Sequence, residues 1–213
     1  LQLDQHGNLI ITGGFIGLVD FDPGVGVQYE NAPNSNGNIF ILKLDTAGNF
    51  LWVKSIGGQG GEYGIDIDRD SSGYLYVTGT FQDTVDFDPG PGVHKLMSHN
   101  TGGTGLEDDI FVAKYDSLGN YIWAKHMGSN YQDRPTKIKI DHHGNVYTAG
   151  RFQASSVYPA DFDPGPGTFN MLVTGWNWDD VFVSKLDANG NFIWAKSFGS
   201  MNTTDVANSI DVD

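Results

Sequence analysis

The sequence predicts an all-β protein: a β-propeller of four-stranded antiparallel blades, with three blades in this chain plus the first strand of a fourth. Three observations predict it. A stretch of chain recurs at a fixed step: Phe40-Ile41-Leu42-Lys43-Leu44-Asp45 returns 71 residues later as Phe111-Val112-Ala113-Lys114-Tyr115-Asp116, and after another 71 as Phe182-Val183-Ser184-Lys185-Leu186-Asp187. Trp52, Trp123 and Trp194 keep that step, as do Lys54, Lys125 and Lys196. A fixed internal period means that each repeat is one supersecondary unit, stacked on its neighbours to bury a shared core. Within each repeat, short runs of β-branched and aromatic residues alternate with turn residues, and no segment has a helical period. The composition agrees, with 29 glycines in 213 residues, 39% hydrophobic and only 18% charged. That is a turn-rich β chain rather than a disordered one.

The middle copy shows the elements in order. Ile65-Asp66-Ile67-Asp68 alternates apolar and polar, as a half-buried strand does. Asp70-Ser71-Ser72-Gly73 turns the chain into a second strand, Tyr74-Leu75-Tyr76-Val77-Thr78. A long loop follows, then a third strand at Ile110–Tyr115. The turn Asp116-Ser117-Leu118-Gly119-Asn120 leads to a fourth, Tyr121-Ile122-Trp123-Ala124-Lys125. In such turns aspartate caps its own backbone two residues on, and glycine supplies the positive φ that closes a short hairpin. Matching turns start at Asp4, Asp141, Asp45 and Asp187. Residues 1–64, 65–136 and 137–208 are read as blades one to three, and residues 209–213 as the first strand of a following blade. A closed ring holds about four to eight blades, so the chain reads as a processed chain or as a piece of a longer one.

The runs Gly144-Asn145-Val146-Tyr147-Thr148-Ala149-Gly150, Asp180–Asp187 and Gly190-Asn191-Phe192-Ile193-Trp194-Ala195-Lys196 resemble the SBBP β-propeller repeat. The resemblance covers essentially the whole chain in three copies. It implies a large secreted or surface protein of Bacteroidetes-like bacteria and brings no catalytic residues with it. The copies here are longer than the usual repeat, and the excess lies between the second and third strands.

Charge and composition narrow the function classes. The formal net charge is -14, carried mostly by aspartate. Such a surface repels nucleic acid and suits cation binding or plain solubility. There is no cysteine, so disulfides and thiolate metal sites are excluded. No apolar run approaches the roughly 18 residues of a membrane-spanning helix.

The long loop carries the sharpest motif. Asp20-Phe21-Asp22-Pro23-Gly24, Asp86-Phe87-Asp88-Pro89-Gly90 and Asp161-Phe162-Asp163-Pro164-Gly165 are identical, and Gly26, Gly92 and Gly167 follow at one offset. One reading is Ca²⁺: residues i and i+2 of an extended chain point to one side, and hard oxygens suit that ion. Asp83 adds a further acid in the second copy only. The other reading is a structural corner, in which the phenylalanine wedges between blades and the aspartates accept backbone N–H bonds. A catalytic carboxylate pair is disfavoured, because three identical copies lack the asymmetry that acid and base need.

Other candidates are weaker. Asp109 and Asp180, with Asn38 in the same place, read as ties from a strand end to a loop. His142 and His143 adjoin, and His94, His99 and His126 show no ligand spacing, so all five read as solvated histidines. The repeated tryptophans read as packing between blade edges, with cation–π contact to the neighbouring lysine as a further option. Trp176 and Trp178 occur in the third loop only, where they either pack the loop or stack on a sugar or a partner. The reading that results is a non-enzymatic extracellular or cell-surface scaffold that joins other copies of itself or adjoining blades. The alternative is a carbohydrate- or protein-binding module on the long loops.

Overall fold

The computed structural model describes residues 1–33, 36–99, 107–175 and 178–213. These form eighteen strands and no helix, so nothing among them is a helix long enough to cross a membrane. The first unit comprises β1 (Gln2–Leu3), β2 (Leu9–Phe15), β3 (Gly17–Asp20), β4 (Tyr29–Ala32), β5 (Asn38–Leu44) and β6 (Phe50–Gly58). The second has β7 (Tyr63–Arg69), β8 (Leu75–Phe81), β9 (Thr84–Asp86), β10 (Lys95–Met97), β11 (Asp109–Tyr115) and β12 (Tyr121–Met127). The third has β13 (Arg134–Ile140), β14 (Val146–Phe152), β15 (Ala160–Asp161), β16 (Asn170–Met171), β17 (Asp180–Leu186) and β18 (Phe192–Phe198). Each unit is an antiparallel four-stranded meander, β1-β2-β5-β6, β7-β8-β11-β12 or β13-β14-β17-β18.

The turns hold these meanders in register. Asp4, Asp45, Asp70, Asp116, Asp141 and Asp187 each accept backbone N–H groups two and four residues on through one oxygen. The glycine three residues on takes φ between 76° and 88°. Only glycine adopts that conformation at no cost.

The loop between second and third strands holds further strands that the sequence reading did not place. In every unit it folds into a small hairpin, β3-β4, β9-β10 or β15-β16. Strands of two to four residues leave no periodicity to read in the sequence.

The sheets pack face to face, and the core lies between them. Ile39, Ile41 and Ile56 of the first unit meet Phe81, Phe87, Phe111 and Ala113 of the second. Ile110, Val112 and Met127 on the second sheet's other face meet Val146, Phe152, Phe162 and Phe182 of the third. The middle strands β8 and β11 are therefore buried at every residue, whereas β17 alternates. First strands run side by side: Asp66 accepts the N–H of Ile138 and the ammonium of Lys137, and Asp68 accepts the N–H of Ile140. On the other side of β7, Arg69 Nε donates to the Leu3 carbonyl at 2.6 Å.

Residues 209–213 pair in no ladder among the described residues, unlike the first strand read from the sequence. Such a strand takes its ladder from the second strand of its own sheet, as β13 does from β14. The approach to it follows the third sheet: the Asp205 N–H donates to the Asp179 carbonyl, and Thr136 Oγ1 donates to the Ala207 carbonyl.

Candidate functional site

The Asp-Phe-Asp-Pro-Gly motif sits at the tip of each small hairpin. Its first aspartate works as a clasp. Asp161 Oδ1 accepts N–H bonds from Asp163 at 2.9 Å and from Phe169 at 2.8 Å. Asp20 does the same for Asp22 and Gln28, and Asp86 for Asp88 and His94. The second aspartates, Asp22, Asp88 and Asp163, accept the N–H of Gly24, Gly90 and Gly165. The recurring glycine two residues further on has a steric reason. A Cβ on Gly26, Gly92 or Gly167 would stand 2.0 to 2.3 Å from the second aspartate's Oδ2. Asp83 takes φ 57° and accepts the Thr84 hydroxyl.

The phenylalanine of the motif packs against rings of its own unit. Phe87 lies 5.5 Å from Phe81 and 5.0 Å from Phe111, and Phe162 lies 5.4 Å from Phe152 and 5.0 Å from Phe182. Phe21 meets Phe15 and Phe40 in the same way. The hairpin also reaches backward. β9 pairs with β6 through Gly57–Asp86 and Gly58–Val85, so the second unit's hairpin extends the first sheet to six strands. Gly128 and Asp161 exchange two backbone bonds, of 3.0 and 2.8 Å, and thereby join the third unit's hairpin to the end of β12.

The repeated tryptophans join sheets too. Trp52 and Lys54 lie over Gly119 of the next unit's turn, and Trp123 and Lys125 over Gly190. Trp123 Nε1 and Lys114 Nζ both donate to the Ala188 carbonyl, at 3.3 and 3.2 Å. The cation–π contacts in this region belong to other lysines: Lys114 lies over Tyr74 and Tyr76, and Lys185 over Tyr147.

Trp178 is 38% exposed and borders a cleft of about 440 Å³. Tyr131 and Tyr158 line the same cleft with their rings 6.1 Å apart, and Gln153 and Ser155 add polar groups. Trp176 lies outside the described residues.

Asp109 and Asp180 each tie a strand start to the preceding loop. Asp109 Oδ2 accepts the His99 N–H, and Asp180 Oδ2 accepts the N–H and hydroxyl of Thr174. The histidines differ from the sequence reading. His99 and His126 are partly buried, their rings 5.0 Å apart, and His99 Nδ1 is 2.7 Å from Asp109 Oδ2. Burial pushes the His126 imidazole down to about 4, whereas the bond to Asp109 raises that of His99. The signal for this group lay in the repeat register: histidine stands opposite Phe111 where serine stands opposite Phe40 and Phe182.

Comparison with known proteins gives two distant likenesses. An uncharacterized WD repeat-containing protein of Acanthamoeba polyphaga mimivirus is 27% identical over 122 residues, covering 54% of this chain. A regulatory protein, FlaEY, of Caulobacter vibrioides is 23% identical over 177 residues, covering 81%. The chain spans only 9% and 17% of those two relatives. No family model matches. The internal repeat and the first relative go together: the chain is a β-rich repeat protein.

Proposed function

We propose that the chain is a non-enzymatic interaction scaffold made of β-propeller blades, which joins further blades in neighbouring copies or in a longer chain. One observation carries this reading: both joints between units share a hairpin that pairs back to the preceding sheet and a tryptophan–lysine pair over the next unit's turn glycine, and the outer units each present half of such a joint. The first unit offers the hairpin β3-β4 and the face of Phe40, Leu42 and Phe50. The third offers Gly199, which follows β18 as Gly128 follows β12, and the half-exposed Val181 and Val183 of β17. These halves are complementary by the logic of the internal joints, and a heterologous contact of this kind closes a ring or grows a filament. The likeness to a WD repeat-containing protein supports the scaffold reading. The quoted repeat residues support the narrower SBBP type, and with it an extracellular or cell-surface location. Light scattering on the intact chain tests the proposal. A discrete oligomer or a polymer supports it, and a strict monomer of 23.2 kDa at high concentration removes the self-association part.

A second reading is favoured by the cleft beside Trp178. Three aromatic rings around a partly polar cleft suit a sugar ring, so we also propose carbohydrate or surface-protein binding there. Glycan-array binding that falls at least tenfold on Trp178→Ala supports it, whereas a blank array for the parent chain sinks it.

Calcium at Asp20/Asp22, Asp86/Asp88 and Asp161/Asp163 is a separate proposal, supported by two carboxylates in each of three loops. If it holds, EDTA lowers the melting temperature and added Ca²⁺ restores it. An unchanged melt leaves the clasp as the whole role of these residues.

A further inference from the structure

We propose that His99, Asp109 and His126 form a binding site for a divalent transition-metal ion of the zinc class. One ring nitrogen from each imidazole and one carboxylate oxygen lie within 4.8 Å of one another. This is the group of three ligating side chains found among the described residues. Asp109 opens β11, His126 stands near the end of β12 directly across from Phe111, and His99 follows β10. Two of the ligands thus sit on paired strands, a rigid frame for a metal. Two imidazoles and one carboxylate suit zinc and its neighbours. Calcium prefers six to eight oxygens, and this group supplies one carboxylate.

A second observation points to a cation. Asp109 is fully buried, and its Oδ1 has no hydrogen-bond partner although Oδ2 is doubly engaged by His99. An unsatisfied buried carboxylate oxygen is costly, and a bound cation supplies the missing partner. Gly128 makes room beside it. A Cβ there would stand 3.0 Å from Asp109 Oδ1 and 2.8 Å from Asp133 Oδ2.

The other units provide the comparison. In the third, Asp180 holds the place of Asp109 and its Oδ1 is also unpartnered, but Thr174 and Ser197 stand where the imidazoles are. In the first, Asn38 donates to Ser55 Oγ at 3.3 Å. The fold therefore does not require the histidines, and they are confined to one unit. Tetrahedral bonds of about 2.1 Å set donors about 3.4 Å apart, so binding needs the His99–Asp109 hydrogen bond of 2.7 Å to open and any wider pair within the 4.8 Å group to close. The His99 side chain is 32% exposed, which leaves a path for the ion.

The test is calorimetric titration of the intact chain with zinc chloride, with cobalt(II) absorption as a readout of coordination. One ion per chain is expected, with visible d–d bands for cobalt. His99→Thr/His126→Ser places in the second unit the residue types that the third carries, and its melt is checked first. This variant should bind zinc weaker by on the order of 100-fold or more, while His142→Ala/His143→Ala binds like the parent. If the double variant does not fold, His126→Ser alone makes the same comparison. No zinc binding by the parent, equal binding by the His99/His126 variants, or loss in the His142/His143 control overturns the proposal.

Discussion

Glu62 is buried against the end of β6, where its Oε2 accepts the Gly58 N–H at 3.2 Å. Burial pushes its carboxyl up to about 7, from an ordinary value near 4.5. A raised carboxyl stabilises the fold while it is protonated, and that stability is lost as pH rises from the unfolded value through the folded one. The melting temperature of the parent should therefore fall between pH 5 and 8 by more than that of Glu62→Gln. Parallel pH curves for the two chains would contradict this. Asp133 occupies the same place one repeat on, with its Oδ2 taking the Ser129 N–H at 2.6 Å, and burial raises its carboxyl as well. At this scale the sequence is legible where side chain and backbone are close in the chain. The aspartate–glycine turns are examples, because the acceptor and its donors lie within four residues. The histidine pair was not legible, because 27 positions separate His99 from His126 and only strand register brings them together.

At the scale of elements, the small hairpin is the device that couples one sheet to the next. Asp161 clasps its loop, and the same residue's backbone is bonded to Gly128 of the preceding unit. Asp161→Ala removes the acceptor of two N–H groups, a loss of about 1–2 kcal/mol. Hydrogen exchange at Gly128 should then quicken by about 5- to 30-fold, while exchange at Phe182 within β17 stays as it was. Equal acceleration at both sites would mean that the clasp serves the whole sheet rather than the joint. The four long strands of the second unit were readable from β-branched and aromatic runs, to within a few residues of their ends. The hairpins were not, because Thr84–Asp86 and Lys95–Met97 are too short to show alternation and sit among prolines and glycines.

For the whole molecule, burial follows position in the stack rather than sequence. Phe40, Phe111 and Phe182 are equivalent, yet Phe111 and Phe182 are buried against a preceding sheet while Phe40 stays half-buried on the outer face of the first. The repeat predicted stacking, but no local pattern marks which copy is inner and which is outer. The proposed self-association would use the outer faces of the end units. Val183 faces away from the second sheet, at the position where Val112 packs on the third. Val183→Lys should shift the mass seen by light scattering toward the single chain and leave the melt within a degree or two. An oligomer indifferent to that change would have to use another surface.

The second and third hairpins point the same way: each reaches back to the sheet made before it, and the contact spans less than half a repeat of chain. During synthesis, then, every newly emerged unit finds its acceptor strand already in place. Folding proceeds as a zipper from the N-terminal side, because domains fold as units as they leave the ribosome. The distance over which the chain must search stays constant however many units are added, so length imposes little kinetic limit on such an array.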